Sequence, residues 1–423
     1  MQEVAQEMSE NLTFAIKTLV WKWLQLCAAL RRYVGWRKRC CAPSLVLVPC
    51  EPGHVIGSRG DEAMVYAILA DYRQRHADGR IAVIVNNASF KDSPDGQRLS
   101  KDFPGIEFCP AWIGHSHLTK IYKSFLRRKA TEVYVVGADC MDGYYGSAIS
   151  FTLLASADLA TRLGIKTKLT GFSFNEHPTM PAERMFRHVT RQLVCNVRDP
   201  VSLERVKSLR YKNVTTQLVA DVAFMLKPVE SSAVANVVEW IRGERARGQA
   251  ILAFNLHGML VDRKSYDNLV SNAVRGLGGF LDVNKNVSIA LVPHDYRPQG
   301  DIDALSKIDI QLNRPNVRLV REVLSAAELK AVMGHVDCLF TSRMHLGIAA
   351  LGMGKPIAAF AYQGKFAGLF ELFRLPFNML SSPSDPKGMI AALCDLVRDL
   401  PALRRAVAER MSDITGLSTL NLI

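Results

Sequence analysis

The chain has no Cys-x-x-Cys pair, no zinc-finger spacing and no low-complexity tract. Its nine cysteines are scattered and odd in number, with only Cys40 and Cys41 adjacent and Cys109, Cys140, Cys195, Cys338 and Cys394 in or beside apolar runs. That excludes a disulfide scaffold and fits reduced, mostly buried thiols in a cytoplasmic protein. No His/Asp/Glu spacing demands a metal, so none is expected; His115 and His117 beside Trp112 read as exposed or supporting residues. The loop Gly57-Ser58-Arg59-Gly60-Asp61 is neither a Walker sequence nor a Gly-x-Gly-x-x-Gly fingerprint. The formal net charge of +13 raises nucleic acid, an anionic membrane surface or an acidic substrate as partners. The body of the chain lacks basic runs interleaved with aromatics and any helix-turn-helix pattern, which argues against nucleic acid.

An apolar run long enough for a membrane span is also missing. The stretch from Phe14 to Leu30 is interrupted by Lys17 and Lys22, follows acidic residues and carries no small-residue cleavage pattern. It reads instead as an amphipathic helix holding Trp21, Trp23 and Leu24, followed by Arg31, Arg32, Trp36, Arg37, Lys38 and Arg39. Such a helix suits an anionic membrane interface. It equally suits packing on the protein's own surface or against a dimer partner, and the oligomeric state is not legible.

What is present, from residue 44 onward, is an α/β pattern. Apolar runs at 44–49, 81–85, 133–136, 167–172 and 193–197 alternate with helical stretches at 61–76 and 149–163. A second series of runs lies at 250–255, 287–292, 317–320, 338–341 and 356–360, with a helix at 326–333. Continuous apolar strands between helices predict parallel sheets covered on both faces. A chain of 423 residues exceeds one ordinary core. The expectation is an N-terminal segment (1–42), two Rossmann-like domains (43–228 and 229–383) facing a cleft in a GT-B-like arrangement, and C-terminal helices (384–423) returning over the first domain.

The chemistry concentrates at Thr341-Ser342-Arg343-Met344-His345, then Gly354-Lys355-Pro356, then Tyr362-Gln363-Gly364-Lys365-Phe366. A strand ends and a helix begins there, so free backbone N–H groups and the helix dipole favour an anion. Arg343 adds a planar fork for phosphate or carboxylate, and His345 a proton near neutral pH. Lys365 is a further cation delivered to the same sheet edge. Arg198-Asp199 after the 193–197 run is a second candidate, readable also as an ion pair ahead of a helix. His294-Asp295-Tyr296-Arg297 at another strand end can line the same cleft. Gly60 and Asp61 read as an anion or acceptor loop, or simply as a helix cap.

The run Ser342-Arg343-Met344-His345, Gly354-Lys355-Pro356, Tyr362, Lys365 and Gly368 resembles the polysaccharide pyruvyl transferase family. The resemblance continues upstream in Gly60-Asp61-Glu62-Ala63, in Val135-Val136-Gly137 with Asp139 and Asp142, in Asn196-Val197-Arg198-Asp199-Pro200-Val201-Ser202, and in Ala220-Asp221-Val222-Ala223-Phe224. It departs from the family around Gly137-Ala138-Asp139, where more glycine is usual. The resemblance implies transfer of a pyruvyl group from phosphoenolpyruvate, a donor substrate needing no cofactor, to a saccharide acceptor, free or lipid-linked, of exopolysaccharide assembly. It implies that Arg198, Arg343 and His345 are catalytic and contact phosphoenolpyruvate. Ser342, Met344, Lys365, Gly60, Asp61 and Asp139 are then expected to bind substrate, with the two aspartates on the acceptor side or in base duty. Arg343→Ala and Arg198→Ala are expected to remove activity with folding largely intact. Two rivals stay open: a GT-B glycosyltransferase using a nucleotide sugar, and a non-catalytic, membrane-associated assembly factor.

Overall fold

The structure is a computed structural model; it describes residues 2–35, 42–112, 114, 116–260, 265–297, 300–361 and 365–423, with the side chains of 2–13, 259 and 365 outside that description. The chain divides into two compact units. The first comprises Met1–Val55, Ile68–Val222 and Thr419–Ile423; the second comprises Ile56–Ala67 and Ala223–Ser418.

The first unit is built on a seven-stranded sheet: β1 (Ser44–Val48), β2 (Arg80–Val85), β3 (Glu107–Pro110), β4 (Glu132–Val135), β5 (Lys166–Phe172), β6 (Val194–Val197) and β7 (Thr215–Leu218). Its order is β3-β2-β1-β4-β5-β6-β7, and every pairing is parallel. The second unit holds β8 (Ala250–Phe254), β9 (Val287–Leu291), β10 (Val317–Leu319), β11 (Cys338–Thr341), β12 (Ile357–Phe360) and β13 (Leu380–Ser381). The order there is β10-β9-β8-β11-β12-β13, again all parallel. The central strands are buried along their whole length, as in Ser-Leu-Val-Leu-Val of β1 and Cys-Leu-Phe-Thr of β11. That double-sided burial is why they read as unbroken apolar runs rather than alternating ones. Two Rossmann-like parallel α/β units make this a GT-B-like fold.

Each sheet reverses its strand order once, between β1 and β4 and between β8 and β11. In open α/β sheets the crevice beyond the carboxyl ends of such a strand pair is where ligands sit. The topology therefore nominates the loops after β1 and β4 in one unit, and those after β8 and β11 in the other.

The N-terminal segment forms one helix, Gln2–Tyr33, whose inner face packs on helix Ser147–Arg162 of the first unit. Trp21, Leu24 and Ala28 are buried, and Trp21 meets Phe151 edge-on at 5.4 Å. The Trp21 Nε1–H donates to Asp158 Oδ2 at 2.9 Å. Of the residues expected to touch a membrane, Trp21 and Leu24 are thus spent on packing, whereas Trp23 is exposed. Trp36, Arg37, Lys38 and Arg39 lie outside the described residues. No described helix is long and apolar enough to cross a membrane.

At the other end, Pro386–Arg398 packs on Tyr266–Val283 within the second unit, and Leu400–Thr419 follows it. Thr419–Ile423 belongs to the first unit: Asn421 Oδ1 accepts from the Gly171 N–H at 2.7 Å, and Asn421 Nδ2 donates to the Ala220 carbonyl at 2.7 Å. Among the described residues, Cys27, Cys109, Cys140, Cys195, Cys338 and Cys394 are free thiols.

Candidate functional site

In the second unit, the turn after β11 is fixed by its own polar side chains. The Arg343 N–H donates to Thr341 Oγ1 at 2.9 Å, and the His257 N–H donates to Ser342 Oγ at 2.6 Å. Thr341 and Ser342 hydroxyls both reach Asn255 Oδ1, at 3.3 and 3.4 Å. The ends of β8 and β11 are thereby tied together where the strand order reverses. Helix Met344–Gly352 then begins directly at Met344, with its first turn aimed from the strand end. Ser342 is fully buried and Met344 nearly so, which makes both supports of the turn.

Arg343 is held by two acids. Its Nε and Nη2 donate to Asp301 Oδ1 at 3.1 and 2.7 Å, and Nη2 also reaches Asp295 Oδ2 at 3.2 Å. Nη1 makes no hydrogen bond among the described residues. Asp301 is itself fully buried and accepts from Asn255 Nδ2 at 2.8 Å and from the His294 and Asp295 backbone N–H groups at 3.0 and 3.2 Å. Burial alone would raise the Asp295 carboxyl; hydrogen bonds from Arg297 and the charge of Arg343 outweigh it and hold it at about 2. These pairs remove most of the desolvation cost of the arginine and lock its fork in one plane.

His345 stands on the first turn of the same helix and packs against Gly60. A Cβ at position 60 would lie 2.8 Å from Cγ and 3.0 Å from Cε1 of the imidazole, so only glycine allows this approach. The Gly60 turn is anchored nearby. Arg59 Nε donates to the Leu324 carbonyl at 2.6 Å, its guanidinium lies over the Tyr296 ring, and Nη1 pairs with buried Glu62 at 2.9 Å. Glu62 Oε1 accepts in turn from the Ala326 N–H at 2.9 Å. Asp61 accepts from Ser58 Oγ at 2.7 Å, while Ser58 Oγ accepts from the Asp61 N–H at 3.1 Å, a capping turn for helix Arg59–Arg75.

Beside His345 lies a small pocket whose polar lining is Arg59, His294 and Lys330, the remainder being Ala, Leu and Ile side chains. No carboxylate lines it among the described residues. Burial, reinforced by the charge of Arg343, His345 and Arg59, drives His294 well below its usual value, so its imidazole is neutral at pH 7. Its Nδ1 is buried without a hydrogen-bond partner among the described residues. Lys330 is buried with Nζ donating to the Phe224 and Leu226 carbonyls at 2.8 and 2.6 Å, and burial lowers it to about 8.

The first unit carries the second arginine. Arg198, just beyond β6, is buried; Nη1 pairs with Asp221 Oδ2 at 2.8 Å and Nε donates to Ser173 Oγ at 2.7 Å. Burial alone would lower its pKa; Asp221 and Asp139 outweigh that and keep it above the ordinary value. Its Nη2 makes no hydrogen bond among the described residues. The neighbouring Asp199 does not pair with Arg198 but caps helix Pro200–Ser208, accepting from the Ser202 N–H and hydroxyl, both at 2.7 Å. Asp139 sits in the loop after β4, at the sheet's reversal, and accepts from Tyr145 OH at 3.2 Å. Ala138 before it takes φ +48°, a left-handed conformation that suits glycine.

Of the residues expected from the sequence, Ser342, Arg343, Met344, His345, Gly60 and Asp61 fall in the second unit, and Arg198 and Asp139 in the first. Lys365 opens helix Lys365–Phe373, but its side chain and residues 362–364 lie outside the described residues, as does His115. Asp221 and Ser173 around Arg198 in the first unit, and Asp301, Asn255 and Lys330 in the second, carry the polar networks and do not stand out as functional in the sequence. Asp221 alone had a signal, in the Ala220-Asp221-Val222-Ala223-Phe224 element. No group of His, Cys, Asp and Glu side chains among the described residues could hold a metal ion.

The polysaccharide pyruvyl transferase family model matches residues 59–364. A comparison with curated protein sequences gives no match. Among solved structures, the chain is similar to the putative UDP-N-acetylglucosamine 2-epimerase of Listeria monocytogenes, with TM-score 0.58 and 12% identity over 90% of this chain and 94% of that one. It is also similar to the UDP-GlcNAc 2-epimerase of Neisseria meningitidis bound to UDP-GlcNAc (TM-score 0.52, 12% identity, 89% and 98% covered) and to that of Methanocaldococcus jannaschii (0.51, 12%, 90% and 99%). At such identity these likenesses speak for the fold alone.

Proposed function

The chain belongs to the polysaccharide pyruvyl transferase family, and from that premise we propose that it moves the pyruvyl group of phosphoenolpyruvate onto two hydroxyls of a saccharide, as a cyclic ketal. In this reading a proton adds to the methylene carbon, one hydroxyl attacks the central carbon, and the C–O bond to phosphate breaks. The second hydroxyl then closes the ring. Two hydroxyl protons are released, one is balanced by the new methyl group and the other leaves with hydrogen phosphate, so neither an oxidant nor a cofactor is required.

The observation that carries the reading is Arg343, clamped by Asp295 and Asp301 at the end of β11, its Nη1 making no hydrogen bond among the described residues, next to His345 on the first helical turn. A fixed guanidinium amine and a helix N-terminus suit the donor's phosphate or carboxylate. His345 is the acid for the methylene carbon, or a hydrogen-bond donor to phosphate. Arg198, held by Asp221 and Ser173 in the first unit, is likewise a candidate for phosphoenolpyruvate, and Lys365 is a further cation. Asp139 and Asp61 serve the acceptor side. The reaction belongs in the cytoplasm, with the acceptor free or lipid-linked at the membrane's inner face.

The test is incubation with phosphoenolpyruvate and glycan acceptors, following phosphate release and the acceptor's mass. A product bearing one added carboxyethylidene and one more negative charge supports the reading. Release of a nucleoside diphosphate from a nucleotide sugar, with no phosphoenolpyruvate consumed, assigns the glycosyltransferase alternative; binding of neither donor assigns the non-catalytic one.

A further inference from the structure

The helix Gln2–Tyr33 has a second apolar face that its packing on the first unit does not use. Ile16, Leu19, Trp23, Leu26, Leu30 and Tyr33 are spaced alternately by three and four residues and are all exposed, Leu19 at 67%, Trp23 at 65%, Leu26 at 61% and Leu30 at 66%. Residues so spaced share one side of a helix. The buried Trp21, Leu24 and Ala28 occupy the other side. Between Ile16 and Tyr33 the exposed row is about 26 Å long at 1.5 Å per residue. A stripe of six large apolar side chains in water is a docking surface rather than scattered exposure.

The charge around the stripe selects the occupant. Lys22 is exposed beside the stripe, whereas Arg32 donates to Gln192 Oε1 at 2.7 Å and Arg31 bonds Tyr122 on the inner side; residues 11–50 contain no Asp or Glu. The helix His117–Arg127, which packs beside it, exposes Lys120, Lys123 and Arg127, and no acid occurs between Glu107 and Glu132. Along the stripe, a second copy would set Lys22, Lys120, Lys123 and Arg127 against like charges with no carboxylate between residues 16 and 33 or between 108 and 131 to pair with them; Glu3, Glu7 and Glu10 precede the stripe on the same helix. A surface of anionic lipid meets both demands: it receives the apolar row and neutralises the basic flanks. We propose that Ile16, Leu19, Trp23, Leu26, Leu30 and Tyr33 lie flat in the interface of an anionic membrane, with Lys22, Lys120 and Lys123 over the headgroups. The inner face of the same helix stays packed on the protein, so the whole first unit is carried by the contact.

The experiment uses the full chain and sedimentation with vesicles of phosphatidylcholine alone or mixed with phosphatidylglycerol. Binding is expected only with the anionic lipid and should weaken with added salt. The triple variant Leu19→Ser/Trp23→Ser/Leu26→Ser should lose at least about tenfold in vesicle affinity, since each side chain leaves an apolar contact. Its thermal midpoint should match the parent's, because these side chains are solvent-exposed. Absence of lipid-dependent sedimentation overturns the proposal. So does a dimer that the triple variant converts to monomer while vesicles stay unbound, which would give the face to a second copy. Neither readout involves turnover, so the result is independent of the proposed pyruvyl transfer.

Discussion

Gly60 and His345 are in direct contact: the imidazole fills the space that any side chain at position 60 would need. The two residues lie far apart in sequence, and the glycine sets where the ring can stand. Gly60→Ala is therefore expected to push the imidazole off its position while sparing the rest of the helix Met344–Gly352. If His345 delivers a proton, His345→Ala should cost ~10²–10⁴ in kcat, and Gly60→Ala should reproduce part of that loss with little change in phosphoenolpyruvate affinity. Unchanged kcat in Gly60→Ala would detach the ring's position from the chemistry.

The environment of Arg343 changes what its removal does. From the sequence, Arg343→Ala is expected to leave folding largely intact; in the structure it strands fully buried Asp301 and buried Asp295. Breaking a buried pair costs about 3–5 kcal/mol, so the alanine variant should be markedly less stable and its inactivity uninformative. Arg343→Lys keeps a charge beside Asp301 but not the planar fork. It should fold with a modest drop in melting temperature and bind phosphoenolpyruvate about ten- to a hundred-fold more weakly, for the loss of a charge-assisted contact of ~1.5–3 kcal/mol. Titration calorimetry on the lysine variant checks this. Arg198, paired with Asp221, is expected to behave the same way.

The central strands are legible in the sequence because burial on both faces writes them as unbroken apolar runs. β3 and β7 are not: Glu-Phe-Cys-Pro carries a proline and an exposed glutamate, and Thr-Thr-Gln-Leu has no fully buried residue. Ser342-Arg343-Met344-His345 is legible as a site because an arginine and a histidine stand where a strand turns into a helix. Its clamp is not, since Asp301 is 42 residues from Arg343 and reads as an ordinary acid in the first turn of helix Asp301–Leu312. Lys330 looks like a surface lysine in Glu-Leu-Lys-Ala, and only the packing of its helix shows it pointing at two carbonyls. In sequence the N-terminal stretch suits lipid and protein contact alike because its two apolar faces overlap; the structure separates them at Trp21 and Trp23.

Lys330 predicts a pH signature. Its folded value of about 8 lies below the 10.5 of an unfolded lysine. Between those values the unfolded chain binds a proton that the folded protein does not, so this group makes stability rise with pH across that window. Below pH 8 both states are protonated and its burial penalty is fully present. Denaturant titrations of the parent and Lys330→Met from pH 7 to pH 10.5 should therefore diverge, with the parent's stability gaining relative to the variant's. Parallel curves would mean the ammonium is not desolvated.

Ala138 adopts φ +48° in the loop bearing Asp139. A left-handed Cβ costs roughly 1–2 kcal/mol, partly offset by the entropy a glycine would lose on folding. Ala138→Gly should be neutral to about 1 kcal/mol stabilising, whereas Ala138→Val should destabilise by more than that. Equal stability of the glycine and valine variants in urea would show that the loop relaxes out of this conformation.

Asp158 makes the N-terminal helix part of the first unit's core. Fully buried, it accepts from Trp21 Nε1 at 2.9 Å, Gln25 Nε2 at 2.8 Å, Arg162 Nε at 2.9 Å and the Thr190 N–H at 2.6 Å. Removing the helix would uncover Phe151 and leave this carboxylate short of two donors. Trp21→Ala combines a lost aromatic contact with a missing hydrogen bond and should cost about 3–5 kcal/mol. Trp23→Ala, two residues away on the exposed face, should cost less than about 0.5 kcal/mol. Chemical denaturation of the two variants measures the difference between the faces directly. A Trp21→Ala protein as stable as Trp23→Ala would mean that the helix does not dock on Phe151 in solution.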